Sequence, residues 1–299
     1  MTLTDRISTS YDASNATFRL LRSYNWGPML LNLGWFPFRG PLKLLNLPVD
    51  LAKTQAALVR HSAALLKIAD GDAVLDVACG RGKSSLMIGQ LYPGCEVVGV
   101  DLLPENIQVA ATVFGNSANL KYEVGDAMDL RFAHGSFDKV HCLEAAFHFP
   151  DRRRFLREAH RVLRDGGRLV VVDFAWNGIE QRRFLDDERT RLVREIWQWD
   201  DLFAVDEYKT AAEEAGFAVE SCIDWSGAVT SPLQSIFAVV SWLGQRNWGR
   251  RLVALSNPML RGMPDSEWRE IDASVEAHGF VRKHSKYIAL VLRKPATGR

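Results

Sequence analysis

The segment Val74-Leu-Asp-Val-Ala-Cys-Gly-Arg-Gly82 runs from an apolar, β-branched stretch into a turn holding two glycines. A turn of this kind lets the backbone approach a ligand without a Cβ in the way, and the helix that follows offers N–H groups at its amino end. Carboxylates close later apolar runs: Asp101 after Val97-Val-Gly-Val100, Asp126 in Gly125-Asp-Ala127, Glu144 in Cys142-Leu-Glu144, and Asp173 after Val170-Val-Val172. An acid ending the second strand can accept two sugar hydroxyls at once, which makes Asp101 a candidate nucleoside ligand. His148, with an ordinary pKa of about 6.5, adds a proton acceptor for neutral pH. Two nucleotide readings fail. A phosphate loop ending in Gly82-Lys83-Ser84 needs glycine where Val77 stands, and a dinucleotide fingerprint starting at Gly80 needs glycine where Ser85 stands. Lys83, Ser84 and Ser85 simply open a helix.

The elements that must position these groups follow a regular alternation. Apolar runs at 73–78, 96–100, 120–124, 137–143 and 168–172 read as strands buried on both faces, as a parallel sheet requires. Helical spacing lies between them at Lys83 to Leu91, Pro104 to Phe114 and Arg152 to Leu163, the last with Asp151 as its N-cap. Further strands are predicted at 216–222 and 287–293, and helices at 51–68 and 206–215. The expected fold is α/β: a Rossmann-like, doubly wound, seven-stranded and mostly parallel sheet under an aromatic-rich, mainly helical cap. The expected organisation is an N-terminal helical and aromatic segment (1–72), a core (73–224), a helical cap insertion (225–282) and a terminal core strand (283–299).

Composition narrows the function classes. Among 299 residues, 37 Lys+Arg against 36 Asp+Glu leave a charge of +1, which gives no bulk affinity for nucleic acid. Cys79, Cys95, Cys142 and Cys222 show no C-x-x-C spacing, so no metal site or disulfide framework is expected, and a reducing, cytoplasmic compartment is. The first 24 residues lack the apolar core of a secretory signal, and the later run Ser235 to Gly244 is too short to span a bilayer. A protein that is soluble, or at most rests on a membrane surface, is expected.

The ordered motifs resemble those of the class I S-adenosylmethionine-dependent methyltransferases: Asp76, Ala78, Gly80 and Gly82 in the first loop, Asp101, Gly125-Asp126-Ala127, Phe137-Asp-Lys-Val140 into Glu144, and Arg161 to Gly167. The family usually has glycine where Ala78 stands. The likeness covers 73–174 closely. It implies S-adenosylmethionine as cofactor, held by Asp76, Ala78, Gly80, Gly82, Asp101, Leu102, Asp126 and Ala127, with Asp101 on the ribose, Asp126 on the adenine and Asp76 acting through the loop or on the ammonium. Asn32-Leu-Gly-Trp35 resembles the sterol, tocopherol and polyketide or phenolic-glycolipid branch.

Methyl transfer asks the protein to align the acceptor, exclude water and take up a proton; no metal is required. His148 is the first candidate base, Asp173 could orient it or act itself, and Glu144 is the rival, matching the proposed base of terpenoid-diphosphate C-methyltransferases. Tyr24, Trp26, Trp35 and Phe147 are candidate acceptor contacts; with Phe36, Trp197, Trp199 and 225–248 they give a greasy surface suited to a hydrophobic small molecule. Arg152-Arg-Arg154 reads as a solvated helix start. The leading expectation is methylation of a hydroxyl on a secondary metabolite or lipid. Alternatives are a carbon acceptor such as an isoprenoid, and a non-methylating scaffold or pericyclase-like protein. A homodimer stays open, and no nucleic-acid partner or transmembrane segment is expected, since the Pro-Pro-aromatic loop of nucleic-acid methylases is replaced by Glu144-Ala-Ala-Phe147.

Overall fold

A computed structural model describes residues 15–47, 49–115 and 119–296, so the first part of the expected amino-terminal segment, 1–14, lies outside the described residues. Seven strands form one sheet: β1 (Ala73–Val77), β2 (Glu96–Asp101), β3 (Leu120–Val124), β4 (Phe137–Leu143), β5 (Leu163–Trp176), β6 (Ala218–Asp224) and β7 (Ser285–Arg293). Their order is β3-β2-β1-β4-β5-β7-β6, parallel from β3 to β5, with β7 antiparallel to both its neighbours. This is the expected Rossmann-like sheet. The order reverses between β1 and β4, and there the carboxyl ends of strands open a crevice.

Strand alternation builds two apolar layers. Val74, Val97, Val170 and Val172 face one side, where α2 (Leu51–Leu66), α3 (Lys83–Leu91) and α4 (Pro104–Phe114) cover them. Leu75, Val77, Leu169 and Val171 face the other, against α5 (Arg152–Val162) and α7 (Val205–Glu214). Helix α5 starts where expected, since the Asp151 side chain accepts from the Arg154 N–H at 2.9 Å.

The cap is assembled from distant pieces. Between β6 and β7 come α8 (Thr230–Gly244), α9 (Asn247–Ser256) and α10 (Asp265–His284). Helix α1 (Ala16–Ser23) packs on α10, and so does α6 (Glu188–Trp197), which lies within the stretch read from sequence as core. Phe147, Trp176, Val193, Trp199 and Val281 tie α6 and α10 to the ends of the strands. No helix among the described residues is long and apolar enough to cross a membrane.

Candidate active site

Two cavities meet over the crevice. The first is a cleft lined by Ala78, Gly80, Asp101, Leu102, Asp126 and Ala127, and also by Asp76 and His148. Asp101 is buried at the end of β2, and its carboxylate accepts from the Gly80 N–H at 2.8 Å, the Leu103 N–H at 3.0 Å and the Asn106 amide at 3.0 Å. Burial raises its pKa, an effect these bonds oppose. The carboxylate therefore fixes the glycine turn while standing in the wall of the cleft.

The turn is narrow by construction. Gly80 has φ +56°, and a Cβ there would meet only Leu31 Cδ1, at 3.7 Å, so the backbone borders open cleft. Gly82 has φ +80°, and a Cβ would stand 2.5 Å from Ala110 Cβ and 2.6 Å from Tyr122 Cε1. Gly82 does not line the cleft. It lets α3 close onto β3 and α4, with the Tyr122 hydroxyl donating to its carbonyl at 2.8 Å, so the structure places this expected cofactor residue behind the cleft wall. Ala78, standing in the place of a glycine, takes φ +55°.

Asp76 is fully engaged within the protein. Its Oδ2 accepts from Ser84 Oγ at 2.6 Å and Ser85 Oγ at 2.7 Å, and its Oδ1 lies 2.8 Å from His141 Nδ1. His141 in turn reaches Ser62 Oγ at 2.9 Å, so this buried chain locks β1, β4, α2 and the start of α3 together. Asp126 spends one oxygen on its own turn, accepting from the Met128 N–H at 2.9 Å.

The second cavity is mostly apolar, lined by Leu33, Phe147, Phe174, Trp197, Leu233 and Phe237 among others. Glu144 and Leu31 belong to the walls of both cavities. Glu144 is 7% exposed and sits at φ +50°, an unfavourable backbone state for a residue with a side chain. Its carboxyl accepts from the Leu33 N–H at 3.0 Å and from the Tyr287 hydroxyl at 2.5 Å. Burial pushes its pKa up to about 8, although both hydrogen bonds favour the ionised form.

His148 lines only the cleft. Its Nδ1 is 3.2 Å from the carbonyl of Gln198; a carbonyl only accepts, so Nδ1 carries the hydrogen and Nε2 is the basic nitrogen of the neutral ring. Asp173, expected to orient this histidine or act as base, lies elsewhere. It alternates onto the β5 face that packs against α5 and α7, accepts from the Tyr208 hydroxyl, and lines neither cavity. Burial brings its pKa up to about 6 despite the opposing charge of Arg152. Arg152 is correspondingly buried, not solvated as predicted: it donates to the carbonyls of Phe147 at 2.9 Å and Asp201 at 2.7 Å.

Of the expected acceptor contacts, Phe147 lines the apolar cavity and three aromatics do not. Trp26 donates through its indole to the Asn32 carbonyl at 3.2 Å, and Trp35 stacks on His61 at 3.9 Å. Tyr24 packs behind Phe237, with ring centroids 6.3 Å apart. These three shape the 26–35 loop, whose leucines form the wall instead. Trp197 belongs to the wall, and its indole donates to His278 Nε2 at 2.7 Å. Tyr287 and Asn106 escaped the sequence reading. Asn106 stands in the first turn of the helix after Asp101, a spacing that could have marked it; Tyr287 becomes a partner of Glu144 only through sheet topology.

Comparison with known proteins agrees with this layout. Residues 75–171 match the family described as a methyltransferase domain. The chain is 30% identical over 165 residues to the O-methyltransferase resE of Aspergillus sclerotiorum, covering 54% of this chain and 61% of that one. It is 32% identical over 177 residues to the 2-methyl-6-phytyl-1,4-hydroquinone methyltransferase of Synechocystis sp., covering 58% and 52%. The matches thus span less than two thirds of the length of these curated relatives. The structure of a geranyl diphosphate methyltransferase in complex with GPP and sinefungin superposes with a TM-score of 0.71 at 18% identity, over 98% of this chain and 99% of the other, a likeness of fold. Residues 75–171 thus carry a match to a methyltransferase domain, in agreement with the resemblance to the class I S-adenosylmethionine-dependent methyltransferases.

Proposed function

We propose that the protein transfers a methyl group from S-adenosylmethionine to a hydroxyl of a hydrophobic small molecule, with the donor in the acid-lined cleft and the acceptor in the apolar cavity. The observation that carries this reading is Glu144, a buried carboxyl common to both walls. The residues present suit the cofactor: Asp101 is a carboxylate for the ribose, Gly80 leaves room for a ligand beside the backbone, and Asp126 with Ala127 edges the place of the base. When bound, the donor supplies an electrophilic methyl on a positively charged sulfur.

The protein's own residues do the rest. The apolar wall excludes water and orients the acceptor, so that alignment contributes much of the rate. Glu144 takes the acceptor proton, because it borders both cavities whereas His148 borders only the cleft. A positive charge in the cleft favours the ionised form of Glu144 and readies it for that step. His148, held by Gln198, shapes the cleft wall.

A carbon acceptor is the second reading. The rings of Phe147, Phe174, Trp197 and Trp199, which line the cavity, suit positive charge developing on an isoprenoid chain. Incubation with methyl-labelled donor and matched apolar acceptors, one set with hydroxyls and one with only alkenes, separates the two. Label in the hydroxyl set supports the first reading and label in the alkene set the second; donor binding without transfer to either supports a non-methylating role.

A further inference from the structure

The cap carries a broad outward apolar face. Helix α9 repeats Trp248, Leu252 and Leu255 at helical spacing, with Trp248 53% and Leu255 75% exposed. The turn at Gly40–Asn46 exposes Leu42 and Leu45, the latter 58% exposed, and packs against α8, which exposes Trp242 close to Trp248. Helix α8 touches both the turn and α9, which brings the three elements that carry these side chains together. A patch of this extent marks an interaction surface.

The two segments that carry it contribute charge of one sign. Neither 25–47 nor 225–264 contains an aspartate or glutamate, whereas they hold Arg39, Lys43, Arg246, Arg250, Arg251 and Arg261. Of these, Arg250 pairs with Asp265. Arg246 lies over the Trp242 ring, its guanidinium carbon 4.0 Å from the centroid, so cation and aromatic share the same spot. Leucine and tryptophan projecting between arginines and lysine is the chemistry of a membrane-surface contact, in which apolar groups enter the acyl boundary and cations meet lipid phosphates. A second copy of the chain fits poorly, because a twofold contact would set these cations against one another.

We propose that this face docks the protein reversibly on an anionic phospholipid surface. The inference goes beyond methyl transfer and does not depend on it. Helix α8 also lines the apolar cavity through Leu233 and Phe237, so docking would bring the acceptor cavity's wall to the lipid boundary.

The test is flotation of the full chain with vesicles of phosphatidylcholine alone and of an equimolar mixture of phosphatidylcholine and phosphatidylglycerol. Binding to the mixed vesicles, weakened by added salt, is expected. The double variant Leu252→Asp/Leu255→Asp should lose at least about tenfold in partitioning, and Arg251→Glu about fivefold. Val113→Asp, at an exposed apolar position on α4, should bind as the unchanged protein does. Thermal unfolding of each variant checks that it is folded. Equal flotation with neutral and mixed vesicles, or a folded double variant that still binds, overturns the proposal. So does a wild-type chain that ignores both vesicles yet dimerises in light scattering through this face.

Discussion

The Tyr287 hydroxyl donates to Glu144 Oε1 at 2.5 Å, joining the first residues of an antiparallel strand to the loop after the fourth parallel one. The same carboxyl holds the Leu33 N–H at 3.0 Å, so one group fixes the amino-terminal loop, the strand end and the partition between two cavities. On the proposed function, structure and chemistry are coupled at Glu144, and its substitution should register in both.

The pH dependence of stability follows from the sign of that shift. Glu144 has a native pKa near 8 against an ordinary 4.5, so between these values the native state binds more protons than the unfolded chain. Stability from this group is then full below the unfolded value and falls as pH rises toward 8. Asp173, raised to about 6, acts in the same direction over the lower part of the window. Glu144→Gln should flatten the decline by roughly 2–4 kcal/mol, measured as unfolding free energy in urea across pH 5 to about 8.5. An unchanged slope would show that Glu144 titrates near its ordinary value.

Tyr287→Phe isolates the hydrogen bond from the bulk of the ring. The hydroxyl favours the ionised carboxylate, so its loss should move the Glu144 pKa further up. With Glu144 as base, the alkaline-rising limb of kcat/KM should shift to higher pH and the rate at pH 7 fall by about tenfold, with little change in cofactor affinity. A unchanged limb together with a strong loss in His148→Ala would transfer the role to the histidine.

Two glycines in one turn should respond differently. Gly82→Ala drives a Cβ into Ala110 and Tyr122 at a positive φ, and should lower stability by about 2–4 kcal/mol. Gly80→Ala meets nothing closer than Leu31 at 3.7 Å, so its stability loss should be near the conformational term of about 1 kcal/mol. Its added methyl would instead weaken S-adenosylhomocysteine binding in calorimetry.

How far the sequence reaches is visible in these same positions. The alternation of β-branched runs and helical spacing specified the seven strands, and the helix bounds at Lys83–Leu91 and Pro104–Phe114 emerged as read. Local patterns carry that information. Asp173 shows the limit: its place at a strand end resembles that of Asp101, yet alternation along β5 turns it toward Tyr208 and Arg152. Trp26 and Trp35 were legible as aromatic but not as inward props of a loop, since their partners Asn32 and His61 are set by chain path. The apolar wall is gathered from seven separate stretches of chain, and no local pattern announces such an assembly.

Asp101 should separate binding from catalysis. Asp101→Asn keeps one oxygen, enough to accept from either the Gly80 or the Leu103 N–H, which bond to different oxygens of the aspartate, and removes the charge that would grip two ribose hydroxyls. Charge-assisted bonds contribute about 1.5–3 kcal/mol each, so cofactor affinity should fall by about 10²-fold while the fold persists. Asp101→Ala also releases the turn and should lose more, in affinity and in stability together. Phe237→Trp narrows the other cavity, behind which Tyr24 packs at 6.3 Å. It should raise KM for a bulky acceptor with cofactor affinity unchanged. Calorimetry with S-adenosylhomocysteine on both proteins gives the comparison: affinity lost in Asp101→Asn and kept in Phe237→Trp is the pattern two adjoining, separately lined sites require, and parallel losses would mean that one continuous site serves both ligands.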